Sequence, residues 1–154
     1  QLSFLLQVRN KVSEAHQAMT DIKSVRDDVE YFQNKLEGKK EYDEVLGLLS
    51  DLEKEMSVVE NNIHMTSNES RQDPLNYGIR VNNRLAFLLA DQQRGDFPPT
   101  DQAEQVRVEL TTDLNDQLLK LDNLLLEKLK VINEKGKSLG VQVICERLNR
   151  KKNP

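Results

Sequence analysis

Apolar residues recur every three or four positions over the first part of the chain, which predicts a long helix with one buried face. This first stripe consists of Leu5, Val8, Val12, Ala15, Met19, Ile22, Val25, Val29, Phe32 and Leu36. Gly38 follows the stripe and suits the left-handed position that ends many helices. The pattern therefore predicts a helix over residues 1–37, about 50 Å long at 1.5 Å per residue.

A second stripe keeps the same spacing without a break and predicts a helix over residues 40–66. Its members are Tyr42, Val45, Leu49, Leu52, Met56, Val59 and Ile63. Strict alternation of three and four is typical of the seam along which helices of a bundle pack. The pattern fades in a polar stretch at residues 66–70.

Start and stop signals then predict two further helices. Asp73 and Pro74 read as an N-cap and a first helical residue, so a third helix is expected over residues 74–92, or from just past Gly78. Gly95 closes it, and Thr100 or Asp101 caps the next helix. The fourth stripe predicts a helix over residues 100–135 that stops near Gly136, and an irregular tail over residues 136–154. Its members are Val106, Leu110, Leu114, Leu118, Leu121, Leu125, Leu129 and Ile132.

Together these elements predict an all-α fold, an antiparallel up-and-down bundle of about four helices in a single domain over residues 1–154. Short connections make successive helices antiparallel neighbours. The third helix is much shorter than the first, so part of the first stripe near Leu5 and Val8 is expected to be exposed. An exposed apolar stripe is a reason to expect self-association.

Composition and charge narrow the classes of function. The net charge is −4 with both signs interleaved, and the main basic cluster lies in the tail, so no nucleic-acid partner is expected. No apolar run approaches the ~20 residues that a membrane span needs, so no membrane insertion is expected. The chain starts with Gln1 inside a helical pattern, and we interpret it as a fragment of a larger protein.

Candidate chemistry is sparse. The two histidines, His16 and His64, lack the Glu three residues earlier that di-metal bundles use, although Glu60 precedes His64 by four. Gly136-Lys137-Ser138 looks like the end of a phosphate loop, but Val131 stands where the first glycine belongs. Carboxylates are spread around the helices and form no inward pair of the kind that glycoside hydrolysis requires. We therefore predict no catalytic, cofactor-binding or metal-binding residue and no cofactor.

The most informative stretch begins at residue 73 and joins a loop to the third helix. Asn83 interrupts a row that Ile79, Ala86 and Ala90 otherwise make apolar. One interpretation is a docking patch for another domain; the one we favour is an internal polar network that ties the loop to the bundle. In either case the candidate residues are Asp73, Asn76, Tyr77, Arg80, Asn82 and Asn83.

Two segments of the chain together resemble a known family. They are the stretch that begins Asp73-Pro74-Leu75-Asn76-Tyr77-Gly78 and the later segment Gly95-Asp96-Phe97-Pro98-Pro99-Thr100-Asp101-Gln102. The opening Phe4-Leu5-Leu6-Gln7-Val8-Arg9-Asn10-Lys11 is similar to the start of the same region. The family is the C-terminal helical region of large bacterial proteins with sortilin-like, BNR (Asp-box) repeat β-propellers, often labelled glycosyl hydrolases. The resemblance covers residues 1–143, and departs at Gly78, where the family more often has proline.

The resemblance implies a non-catalytic structural or interaction module attached to a β-propeller that lies before Gln1 in the parent chain. It implies that the parent is exported and that any sugar-cleaving activity lies outside this chain. The expected partners are that propeller and a second copy of the chain. The alternatives are an autonomous helical sensor, such as the ligand-binding bundle of a receptor, and an enzyme with a metal in the bundle core.

Overall fold

The computed structural model describes residues 1–65 and 78–141, and both ranges are predominantly helical. Four α-helices occur in them: α1 (Leu2–Leu36), α2 (Asp43–Ile63), α3 (Val81–Gln92) and α4 (Asp101–Ser138). A single 3₁₀ turn, Lys40–Tyr42, precedes α2. Since these ranges contain no β-strand, the predicted all-α class is confirmed.

Several helix ends follow the signals visible in the sequence, but α2 begins and ends three residues inside its predicted range, and the start of α3 and the end of α4 are also shifted. Gly38 adopts the left-handed conformation at φ 77°, as predicted. The α3 helix begins at Val81, after Gly78, and residues 78–80 are not helical. The α4 helix passes through Gly136 and ends three residues later than expected. Gly140 has φ 75°, and the Val141 N–H donates to the Gly136 carbonyl at 2.9 Å, a pattern typical of a Schellman termination.

The chain folds as two compact units. Unit 1 comprises Gln1–Met19 and Val58–Lys120. Unit 2 comprises Thr20–Ser57 and Leu121–Pro154. The helices α1, α2 and α4 each contribute to both units, whereas α3 belongs to unit 1 alone.

Unit 2 is built from parts of α1, α2 and α4. Its buried apolar residues are Ile22, Val25, Val29, Leu36, Val45, Leu49, Leu52, Met56, Leu121, Leu125, Leu129 and Ile132. Lys135 Nζ lies 2.8 Å from Glu44 Oε2, and Lys128 Nζ lies 3.1 Å from Glu55 Oε1. Residue numbers rise along α2 as they fall along α4, so these two helices run antiparallel. A strict up-and-down order of four helices would make the second and fourth parallel, so the helix directions differ from those predicted.

Unit 1 contains the start of α1, the end of α2, all of α3 and the start of α4. Its buried apolar residues are Phe4, Val8, Ala15, Ala18, Val59, Ile63, Met65, Val81, Leu85, Ala103, Leu110, Leu114 and Leu118. Asn62 Nδ2 donates to Gln117 Oε1 at 3.2 Å, which places the end of α2 beside α4. Gln1 Nε2 donates to the Gln92 carbonyl at 3.2 Å. The carboxyl end of α3 therefore lies beside the amino end of α1.

The predicted stripes form the core, with one correction at the start of α1. Val8 is fully buried and Leu5 half-buried, so the expectation that this part of the stripe is exposed was wrong for Val8. The exposed apolar residues of this segment are Leu2 and Leu6, at 71% and 37%. Both lie about 200° from Phe4 around the helix axis, and therefore on the opposite face.

None of the helices in the described ranges is both long enough and apolar enough to cross a bilayer.

Candidate functional site

The predicted polar patch is described only in part. Asp73, Asn76 and Tyr77 lie outside the described residues. Arg80, Asn82 and Asn83 are described, and the structure places them together at the amino end of α3.

The buried face of α3 differs by one residue from the face predicted. Ile79 is 47% exposed, Ala86 and Ala90 are also exposed, and Asn83 is only half-buried. The prediction that Asn83 is the inward amide was therefore wrong. The buried residues of α3 are Val81, Asn82 and Leu85.

The physical reason lies in the size of the competing side chains. The α3 sequence carries two possible apolar rows, one containing Ala86 and Ala90 and one containing Val81 and Leu85. The second row removes more apolar surface from water when it faces the core, and so it determines the rotation of the helix. This rotation turns Asn82 inward and leaves it 6% exposed.

The amino end of α3 carries uncompensated polar groups. Arg80 precedes the helix with extended backbone (φ −89°, ψ 169°) and makes no capping hydrogen bond with its side chain. Its Nε is buried without a hydrogen-bond partner, as is Oδ1 of Asn82. The first turn contains no acidic residue to balance the positive end of the helix dipole. These groups destabilise the amino end of α3. They supply neither a nucleophile nor an acid–base pair.

The end of α2 offers no metal site either. The His64 N–H donates to the Glu60 carbonyl at 2.8 Å, so His64 continues the last helical turn, and its Nδ1 is buried without a partner. Within residues 1–65 and 78–141, no three His, Cys, Asp or Glu side chains are grouped as metal ligands would be. The one described acidic side chain that is buried is Asp21 of α1, at 8% exposed, and it has an interaction partner.

Sequence reasoning did not single out Asp21, because it lies beside the apolar stripe rather than on it. It is about 100° around the helix from Ile22 but only about 40° from Val25, so it lies at the edge of the buried face. A polar residue at such a flank is ordinarily solvated, and only the packed helices bury it.

A second surface joins the start of α1 to the loop between α3 and α4. Gln1 Nε2 donates to the Gly95 carbonyl as well as to that of Gln92. The Phe97 ring lies over Gly95, since a methyl group added there would sit 2.8 Å from Phe97 Cδ2. Phe97 is 78% exposed. We call Leu2, Leu6 and Phe97 the apolar end of unit 1.

The fold and these surfaces define a small all-helical bundle, and the described part of the chain contains no group of side chains arranged as metal ligands. Comparison of the chain with family models, with characterised proteins and with solved structures found no match.

Proposed function

We propose that the chain is a non-catalytic interaction module that serves docking or self-association through the apolar end of unit 1. The observation that supports this most directly is the exposure of Leu2 and Phe97, at 71% and 78%. Gln1, the neighbour of Leu2, is hydrogen-bonded to the glycine over which Phe97 lies, so the two apolar side chains belong to one region.

The energetic reason for docking is the water-exposed apolar surface. Covering one large aliphatic or aromatic side chain contributes about 1.5–3 kcal/mol. Two or three such side chains resemble the small apolar centre of a protein–protein interface surrounded by polar residues. Asp96 and Arg94, both exposed in the same loop, supply such a polar rim.

The partner that the sequence resemblance supports is a β-propeller in the same parent chain, for which this bundle is the C-terminal appendage. That part of the proposal depends on the resemblance. Gly78 is a point of difference from the family. Its φ of 80° is a conformation that proline cannot adopt, and proline is the residue more frequent at this position in the family. An open reading frame that encodes a propeller before this segment would support the assignment, and one that encodes none would contradict it.

Sedimentation velocity over a wide concentration range tests self-association. We expect the wild-type chain to form dimers reversibly and the double variant Leu2→Gln/Phe97→Ser to remain monomeric. The matched control is Leu126→Gln, since Leu126 is 73% exposed but lies in unit 2. The control should associate as the wild type does.

If the wild-type chain stays monomeric at every concentration, self-association is contradicted, and the remaining proposal is that the apolar end of unit 1 docks onto a different protein. The same variants then test docking by titration against the propeller of the parent chain. Hydrolysis of aryl glycosides by the purified chain, abolished by a single Asp or Glu substitution, would refute the non-catalytic assignment.

A further inference from the structure

The α3 helix has little apolar burial to hold it in place. It is 12 residues long, and its buried apolar residues are Val81 and Leu85, with Leu88 and Leu89 half-buried. By comparison, α2 buries six apolar residues over 21 positions, and α1 and α4 bury eight each over 35 and 38 positions. Because helices shorter than about 12–15 residues are marginal on their own, α3 depends on this small contact for its structure.

Neither end of α3 carries the usual stabilising charges or cap. Among the four described helices, α3 alone has neither an acidic residue in the first turn nor a basic residue in the last. Arg80 forms no side-chain cap, whereas Thr100 Oγ1 accepts a hydrogen bond from the Ala103 N–H at the start of α4. The first turn of α3 therefore lacks a side-chain cap, and neither terminal turn has a charge that stabilises the helix dipole.

Two polar atoms at its amino end favour opening of the helix. Oδ1 of Asn82 and Nε of Arg80 are buried without partners, so desolvation destabilises both in the closed state. When α3 leaves its place, water can hydrogen-bond to both. At the other end, the Gln1 side chain holds α3 by donating to the Gln92 carbonyl and to the loop at Gly95.

We infer that α3 opens as a separate element under native conditions, while α1, α2 and α4 remain helical. The α3 helix is thus a removable cover over part of the apolar interior of unit 1. This inference is independent of the proposed interaction function, because it depends on the packing of α3 and not on the exposed residues of the apolar end.

Hydrogen–deuterium exchange of the whole chain, read by mass spectrometry, tests the inference. We expect the amides of α3 to exchange about 100-fold faster than those in the middle of α2 and α4. Their exchange should change little at low urea, since local opening exposes little surface, whereas the exchange of α2 and α4 should accelerate. Equal rates and equal urea dependence in α3 and α4 would show that α3 opens only with the rest of the protein.

Two substitutions should shift the exchange of α3 in opposite directions. Asn82→Leu removes a buried, unpartnered oxygen and should slow α3 exchange about tenfold. Gln1→Ala removes the hydrogen bonds that hold the carboxyl end and should accelerate it severalfold. The control is Arg84→Gln, at an exposed position of the same helix, which should leave α3 unchanged.

The rates in α2 distinguish local from global effects. If both variants change the exchange of α2 by the same factor as that of α3, the helix is not a separate element and the inference fails. If Asn82→Leu does not fold, Gln1→Ala alone decides, because it alters a half-buried side chain at the chain start.

Discussion

At the scale of single residues, two glycines should respond oppositely to alanine. Gly78 has φ 80°, which an L-residue adopts only at a cost, so Gly78→Ala should lower the unfolding free energy by about 1–2 kcal/mol. Gly47 lies inside α2, where an added methyl group meets nothing within 4 Å. Gly47→Ala should raise the unfolding free energy by about 1 kcal/mol, because alanine is the better helix former. Urea denaturation measures both, and a shift of the same sign in the two variants would contradict the assigned backbone conformations.

The neighbouring amides Asn82 and Asn83 show where single-residue reasoning fails. Both lie in the first turn of α3, and each could face inward, depending on which of the two apolar rows of the helix packs against the core. Which of the two is buried depends on a rotation of the helix by about 100°. That rotation follows from the larger side chains of Val81 and Leu85, and the structure accordingly buries Asn82.

At the scale of elements, the cap of α4 is a local feature with a measurable effect. The Ala103 N–H donates to Thr100 Oγ1 at 3.2 Å, so Thr100, one of the two residues predicted for the role, is the capping residue. Thr100→Ala should lower the unfolding free energy by about 1 kcal/mol. Thr100→Ser keeps the hydroxyl oxygen and is the control, with little expected change. If the alanine and serine variants denature at the same urea concentration, the hydrogen bond contributes nothing to stability.

At the scale of the whole molecule, the apolar cores of the two units should fold the chain without any ligand. Both units contain fully buried aliphatic residues, such as Leu52 in unit 2 and Leu114 in unit 1. We therefore expect a mainly helical far-UV circular dichroism spectrum that is unchanged by EDTA. A spectrum typical of random coil in the metal-free protein would show that the helices need a bound partner or ion.

The sequence by itself determined the helical class and about half of the helix ends. Apolar residues spaced three and four positions apart fit an α-helix. Gly38 is typical of a residue that ends a helix, and Thr100 of one that begins a helix. These signals depend on neighbours within about one turn, so they can be read without knowing the fold. The end of α4 is a partial exception, since Gly136 and Gly140 were both available and the helix continues to the second.

Only the tertiary structure decided which face of α3 is covered and how far towards its start the stripe of α1 is buried. Val8 was expected to be exposed, yet it is fully buried because other parts of the chain pack against this face of α1. The same packing brings Gln1 to the carbonyls of Gln92 and Gly95, some 90 residues away. Contacts between distant segments depend on how the helices are arranged, and the spacing of apolar residues within one helix contains no information about that arrangement.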